Sequence, residues 1–477
     1  MLLNTDPAGA ARKIDKPIFH TVGEAADSIG ASCYVVGGYV RDLFLGRPSK
    51  DIDFVTEGSG IDVAQAVAAR IGRGAHLSVF RTYGTAQVKS RGLELEFVGA
   101  RRESYSPESR NPRVSPGTLD DDIARRDFTI NAMALSVTPG DFGRLIDRYD
   151  GLGDLERRII RTPLDPDITF SDDPLRMMRA VRFATQLQFD IDPATLAAIS
   201  RNAPRIAIIT RERIATELQK IMASPRPSDG WALLSLTGLL AEIFPELEAM
   251  KGVQTVKGRG HKDNFWHTLE VLDNVAAVSD DVWLRWAALL HDIAKPVTKR
   301  WDDKAGWTFH NHNFIGAKMV PRIFKRMRLP LDDKLRYVSK LVELHMRPIA
   351  LVEDEVTDSA VRRLLVEAGD DIDDLMALCR ADITSKNPEK VRRHLENFDR
   401  VVDKMHAIEA KDKLRAWRPP IDGHRIMELF GLPQSPQVGA IKGYMEEHLL
   451  DSDTPNDPEL AMSLVLEKAA QMGLSPR

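Results

Sequence analysis

The hydrophobic pattern of this chain changes period once, and that change dictates its architecture. Over residues 33–98 the apolar residues form short runs or alternate with polar ones; from about residue 151 onward they recur at helical spacing. A period of two belongs to strands with one buried face, and a period near 3.6 to amphipathic helices. CYVVGG (33–38) reads as a buried strand entering a glycine turn, DIDFVT (51–56) as a half-buried strand, VAQAVAARI (63–71) as a helix, and YGTAQV with LELEFV (83–98) as a hairpin. RERIATELQKIM (211–222) puts Ile214, Leu218 and Ile221 on one helical face. The fold class expected is α+β: a small mixed-sheet head followed by an all-α body. At 477 residues the chain is too long for one ordinary domain. We place units at 1–150, 151–250, 251–400 and 401–477, with the Pro- and Gly-interrupted stretch 225–260 as a boundary.

Composition narrows the setting. Hydrophobic residues are 43% and charged residues 29%, a globular balance. The two cysteines, Cys33 and Cys379, sit in different halves, which is no disulfide framework and favours a reducing cytoplasm. No segment reaches the ~18 continuous apolar residues of a membrane helix, so no membrane partner is expected. The net charge of −4 does not announce a nucleic-acid binder, although Arg101, Arg102, Arg110, Arg113, Arg125 and Arg126 crowd one stretch.

The densest chemistry lies in VVGGYVRDLFLGRPSKDIDFV (35–55). Gly37 and Gly38 stand between a strand and a helix, where a missing Cβ lets backbone approach a triphosphate and the helix N-terminus offers free N–H groups. Arg41 and Lys50 add positive charge. Asp51 and Asp53, two apart on one strand, share a face and can hold hard cations. Glu94 and Glu96 share a face of a neighbouring strand, and either can supply a third carboxylate.

These residues, with RRDFTINAMA (125–134), LIDRYDGLGDL (145–155), SDDPLRMMRAVRFA (171–184) and RERIATEL (211–218), resemble the class II nucleotidyltransferase family of CCA-adding enzymes and bacterial poly(A) polymerases. The resemblance spans roughly residues 30–225. It implies transfer of CMP and AMP from CTP and ATP to the 3′ end of tRNA, with Mg²⁺ at Asp51 and Asp53 and Glu96 as third acid. It implies nucleotide contacts from Gly38, Arg41 and Arg126. It also makes Asp173 and Arg176 the pair that reads the incoming base, with Arg179 and Arg182 steadying the nucleotide. From spacing alone, Asp173 before Pro174 is a helix cap, and the three arginines are a helix face. Cytosine and adenine both offer an amine donor beside a ring-nitrogen acceptor, which a carboxylate and a guanidinium complement. The family's usual Glu before that acid is Asp172 here. Addition of A alone, or of poly(A), is the alternative within the family.

Further on, His267, the doublet His291-Asp292 and Asp382 follow one another on successive helical segments, with His312 and His345 between. Imidazole and carboxylate ligands in that order suit a divalent transition metal. The set is similar to the HD phosphohydrolase superfamily, with His312 and His345 where some members carry further ligands. This implies an all-α HD domain and hydrolysis of phosphoesters at RNA termini, and in the extreme an RNA phosphohydrolase whose head only binds RNA. DGHRIMELFGLP and QVGAIKGYMEEHLL (422–450) resemble the tails of HD-containing family members. Nothing in the sequence fixes an oligomeric state.

Overall fold

A computed structural model describes residues 7–106, 109–258, 260–353, 357–384, 387–415 and 417–476. The chain divides into two compact units, Met1–Pro245 and Glu246–Arg477.

The first unit contains strands β1 (Ser32–Val36), β2 (Asp51–Glu57), β3 (His76–Phe80), β4 (Thr85–Ser90), β5 (Leu93–Gly99), β6 (Arg101–Ser106), β7 (Ser109–Pro116), β8 (Met133–Ser136) and β9 (Leu145–Asp147). Seven form one mixed sheet in the order β3-β4-β5-β2-β1-β8-β9, while β6 and β7 make a separate hairpin. The expected head is therefore present, and β4–β5 is the expected hairpin, paired Thr85↔Val98 to Ser90↔Leu93. The parallel pair in this sheet matters most for the site: β2 and β5 align Asp51 with Glu94 and Asp53 with Glu96. Behind those acids the alternate residues Phe54 and Phe97 are fully buried and stacked, with centroids 4.9 Å apart. Burying each ring stabilises by about 2–3 kcal/mol, and a one-residue slip of either strand would carry ring and acid to the wrong faces. Register and site are one constraint.

Helices Leu175–Leu187 and Arg211–Met222 pack on each other beyond the sheet, the latter burying Ile214, Leu218 and Ile221 as its spacing predicts. The hairpin of β6 and β7 and the short helix Leu119–Ala124, closed by a Thr118–Asp121 capping box, are additions to the sequence reading. The side chains of Arg110 and Arg113 lie outside the described residues.

Among the described residues the second unit is helical apart from a two-stranded hairpin, Arg300–Asp302 with Gly306–Thr308. Its last helices bury their own cluster, including Ile426, Ile441, Met445, Leu449 and Val465. Among the described residues no helix is long and apolar enough to cross a membrane.

Candidate functional site: an acidic strand pair and an imidazole cluster

In the head, β1 is followed by Gly37, whose φ of +73° is a conformation that L side chains rarely adopt. Space demands glycine as well: a Cβ there would lie 2.9 Å from Arg126 Nη1 and 3.7 Å from Asp53 Oδ2. Gly37, Asp53 and Arg126 thus surround one point at the start of the helix Gly38–Leu45. Arg126 is held by the buried Asp122, which accepts from its Nε at 3.2 Å and Nη2 at 3.0 Å. Asp51, Asp53 and Glu96 all reach solvent. The surrounding protein nevertheless strips part of the hydration of Asp53 and Glu96. Burial raises the Asp53 pKa, with Arg126 opposing and Asp51 adding to the shift, and burial followed by the charge of Asp53 raises Glu96. Like carboxylates crowded together favour a proton or a cation between them. Glu94 differs from Glu96, because Lys89 donates to it at 2.7 Å and Gln87 at 3.2 Å.

A hydrogen-bonded chain joins this corner to the helix Leu175–Leu187. Arg41 Nη1 donates to Asn131 Oδ1 at 2.9 Å, Asn131 Nδ2 donates to Asp127 Oδ1 at 3.1 Å, and Arg179 Nε donates to Asp127 Oδ2 at 2.7 Å. Burial alone would raise the Asp127 carboxyl; Arg179 and Asn131 outweigh it and hold the pKa at about 2. Arg41, Arg179 and Arg182 all lie over the ring of Phe183, at 5.0, 5.4 and 3.8 Å from its centroid. Asp173 precedes Pro174, the N-cap of that helix, and accepts from Leu175 N–H at 3.1 Å through Oδ1, while Oδ2 faces Arg213 at 3.6 Å. Arg176 Nη2 donates to the Arg125 carbonyl at 2.7 Å. Arg182 is buried in an ion pair with Glu217 and donates to Gln186. The three arginines therefore share a helix but not an environment: Arg179 keeps a partly open side chain and Arg182 is packed inside.

In the second unit, all six expected polar residues converge. His267, His291 and Asp382 form one group of mutually close ligand atoms, and Asp292, His312 and His345 another. Asp292 joins them, with Oδ2 at 3.2 Å from His291 Nε2 and Oδ1 at 3.3 Å from His312 Nε2. The helices prepare these rings. His291 Nδ1 bonds the Ala288 carbonyl at 2.7 Å, His345 Nδ1 that of Val342 at 2.7 Å, and His312 Nδ1 that of Phe309 at 2.8 Å. A carbonyl only accepts, so each Nδ1 carries the proton. In the neutral rings each Nε2 then turns a lone pair towards the cluster. Two of these carbonyls sit in the last turn of a helix, where backbone acceptors lack intrahelical partners. Buried His291 Nε2 completes no hydrogen bond. Burial alone would lower the pKa of His291, but Asp292 and Asp382 outweigh it and push it up to about 10, whereas burial and the His291 charge drop His345 to about 4. The cluster favours one positive charge at its centre. Four imidazoles and two carboxylates fit a divalent transition metal. His310 is exposed and outside the cluster.

Sequence reasoning did not single out Asn131, Asp122, Asp127, Lys262 or Lys295. Lys295 stands 2.5 Å from Asp292, and Lys262 lies 2.8 Å from His267 Nδ1. Lys295, one helical turn beyond the His-Asp doublet, was visible as a signal; Lys262 was not.

Strand-borne acids beside a glycine turn and an arginine suit a polyphosphate ligand, and the second cluster has the ligand types of a divalent-metal site. Residues 33–161 match the Poly A polymerase head domain, 188–251 the probable RNA and SrmB-binding site of polymerase A, and 264–386 the HD domain. An A-adding tRNA nucleotidyltransferase of Deinococcus radiodurans is 32% identical over 417 residues, 85% of this chain and 89% of the relative. A multifunctional CCA protein of Pseudomonas paraeruginosa is 35% identical over 342 residues, covering 67% and 78% of the two chains. The crystal structure of a tRNA nucleotidyltransferase complexed with a primer tRNA and an incoming ATP analog is similar with a TM-score of 0.57 and 26% identity, over 80% of this chain and 99% of that one. A CCA-adding enzyme in apo form shares the fold with a TM-score of 0.67 at 23% identity, over 98% of this chain and 100% of that chain. This chain belongs to the tRNA nucleotidyltransferase and poly(A) polymerase family, with an HD domain in its second unit.

Proposed function

We propose that the head adds CMP and AMP to the 3′ end of tRNA from CTP and ATP, completing CCA. The observation that carries this reading is the meeting of Asp51, Asp53 and Glu96 with Gly37 and Arg126 on one exposed corner of the sheet. Asp51 and Asp53, with Glu96 as third acid, would hold Mg²⁺, which supplies activation of the 3′-hydroxyl and stabilisation of the departing pyrophosphate. Glu96 is preferred to Glu94 because it aligns with Asp53 and lacks the lysine partner. Gly37 and Gly38 leave room for the phosphates, and Arg126, aimed by Asp122, meets their charge. The 3′-oxygen forms its bond to the α-phosphorus as the bond to the β-phosphate oxygen breaks; pyrophosphate leaves and the hydroxyl proton is lost.

Asp173 and Arg176 read the base in this proposal. Uracil and guanine reverse the donor and acceptor order and leave groups unpaired at about 1–3 kcal/mol each. Arg179 steadies the nucleotide from its anchor on Asp127. Arg182, buried against Glu217, supports the helix rather than touching the ligand.

Addition of A alone is the second reading. It is favoured by the fuller coverage of the A-adding relative. Offering tRNAs that end at the discriminator, at C and at CC with each nucleoside triphosphate, then sequencing the products, separates the two. Growth from every acceptor supports CCA addition. Growth from CC with ATP alone supports the second reading, and no growth at all rejects both.

For the second unit we propose a metal-dependent phosphohydrolase centre held by His267, His291, Asp292 and Asp382, with His312 and His345 as further ligands. The layout of two ligand groups sharing Asp292 fits a pair of ions. Metal analysis of wild type against His291→Ala tests it, and equal, negligible metal in both makes the domain a scaffold.

A further inference from the structure

The front of the head sheet is covered on one side of Asp53 and bare on the other. Towards β1, β8 and β9 it is sealed by a core that includes Tyr34, Val36, Val55, Leu119, Ile123 and Ala134. Towards β3 the residues on this face are exposed or only partly buried among the described residues. Strand register lays out three rows there: Asp53–Glu96–Gln87–Ser78, Asp51–Glu94–Lys89–His76, and Thr85–Phe80, the last continuing from Val98, which packs against that core. None of the β3 and β4 members of these rows is buried. On the reverse face Ile52, Phe54, Ala86, Val88, Leu95 and Phe97 are buried, and the helix Gly60–Ile71 packs there.

Beside its polar groups this face carries exposed aromatic rings. It ends in Phe80, 48% exposed, and the turn that follows β3 adds Tyr83, 75% exposed. Both stand at an outer strand of the sheet, about three strand spacings or ~14 Å from Asp53.

The direction of the reaction says what comes to this face. Gly37 and Arg126 mark the triphosphate on the β1 side of Asp53, whereas Glu96 stands on the β5 side. Attacking and leaving oxygens lie roughly in line across the transferred phosphorus. The hydroxyl that attacks therefore enters from the β5 side, and the chain attached to it runs out over β4 and β3. Single-stranded RNA is gripped by stacking of its bases on aromatic rings and by cations along its backbone. Phe80 and Tyr83 offer the rings, Lys89 and Arg81 the charge, and Gln87 and Ser78 hydrogen bonds to ribose or base edges.

We propose that the bare β5-β4-β3 face is the landing surface for the single-stranded 3′-terminal nucleotides of the acceptor RNA. The inference rests on the head being the transferase centre, and it assigns binding to residues outside that centre.

The test uses the full chain, a tRNA ending in CC, and ATP. Two variants are compared with wild type: the double variant Phe80→Ala/Tyr83→Ala, and Ser78→Glu, which sets a negative charge in the row that starts at Asp53. The expected result is a KM for tRNA raised about tenfold or more in each, with the KM for ATP within about twofold and the Tm unchanged. Binding of the same fluorescently labelled tRNA without nucleotide should weaken by a similar factor. Unchanged KM and Kd for tRNA in both variants would overturn the proposal. If the double variant loses stability, Ser78→Glu decides alone. If wild type adds no nucleotide, the transferase reading fails, and the binding measurement still decides whether RNA lands on this face.

Discussion

The two acid-bearing sites of this chain are built in opposite ways. In the head, Asp51, Asp53 and Glu96 stand in solvent on a rigid sheet, offer only carboxylate oxygens and have an arginine beside them. In the second unit, His267, His291, Asp292, His312 and His345 are buried, and four imidazoles outnumber two carboxylates. Hard oxygen ligands in an open setting suit an ion that arrives with a phosphate substrate and leaves with the product. A closed imidazole set, each ring aimed by its own backbone carbonyl, suits a resident ion that contributes to the folded state. The difference teaches that acidic residues alone do not define a metal site. What fixes its character is ligand softness, exposure and how firmly each ring is held.

Four substitutions sharpen or break this contrast. The largest effect is expected from Asp53→Ala, which should lower nucleotide addition by at least about a thousandfold, with little change in Tm because the side chain is exposed; addition near the wild-type rate would break the head assignment. Next, Asp292→Ala should strip metal from the second unit and lower stability by about 3 kcal/mol or more, since it leaves buried His291 and Lys295 without their acid. Addition to tRNA should stay within about twofold, and elemental analysis with thermal unfolding reads both arms.

A smaller effect is expected from Asp173→Ala. Discrimination against UTP and GTP should fall by about tenfold or more, corresponding to ~1–3 kcal/mol, while the KM for ATP moves less; unchanged selectivity would remove Asp173 from base reading. The smallest is a pH effect. The Asp127 pKa is depressed to about 2 from an ordinary 3.8, so its carboxylate stabilises the fold above about pH 5, and that stability is lost as pH falls towards 2. Wild type should exceed Asp127→Asn by about 2 kcal/mol at neutral pH, and unfolding curves should converge in acid. A gap that widened as pH fell would contradict the ion pair with Arg179.

Much of this was legible in the sequence, and where it was not the reason is physical. The alternation in DIDFVT announced two acids on one face, and the glycine pair announced the turn before them. Alternation cannot say which strand lies alongside, however. The pairing of β2 with β5 crosses a helix and two strands, so periodicity left Glu94 and Glu96 open and only the family resemblance preferred Glu96; the structure aligns Glu94 with Asp51 and Glu96 with Asp53 and gives Glu94 a lysine partner. Helical spacing likewise placed Arg176, Arg179 and Arg182 on one helix face, yet Glu217, 35 residues later, is what draws Arg182 inside. The order of the histidines gave the second site because successive helices converge. The carbonyls that orient three of the rings carry no side-chain signature, and the hairpin around residues 300–308 was too short for periodicity to reveal.

The account turns on where a nucleoside triphosphate binds, and a crystal soaked with ATP and magnesium tests it most directly. The phosphates should rest against Gly37 and Arg126, with an ion between Asp51 and Asp53 and the base facing Asp173 and Arg176. A nucleotide ordered elsewhere, with no ion at the two aspartates, would contradict it.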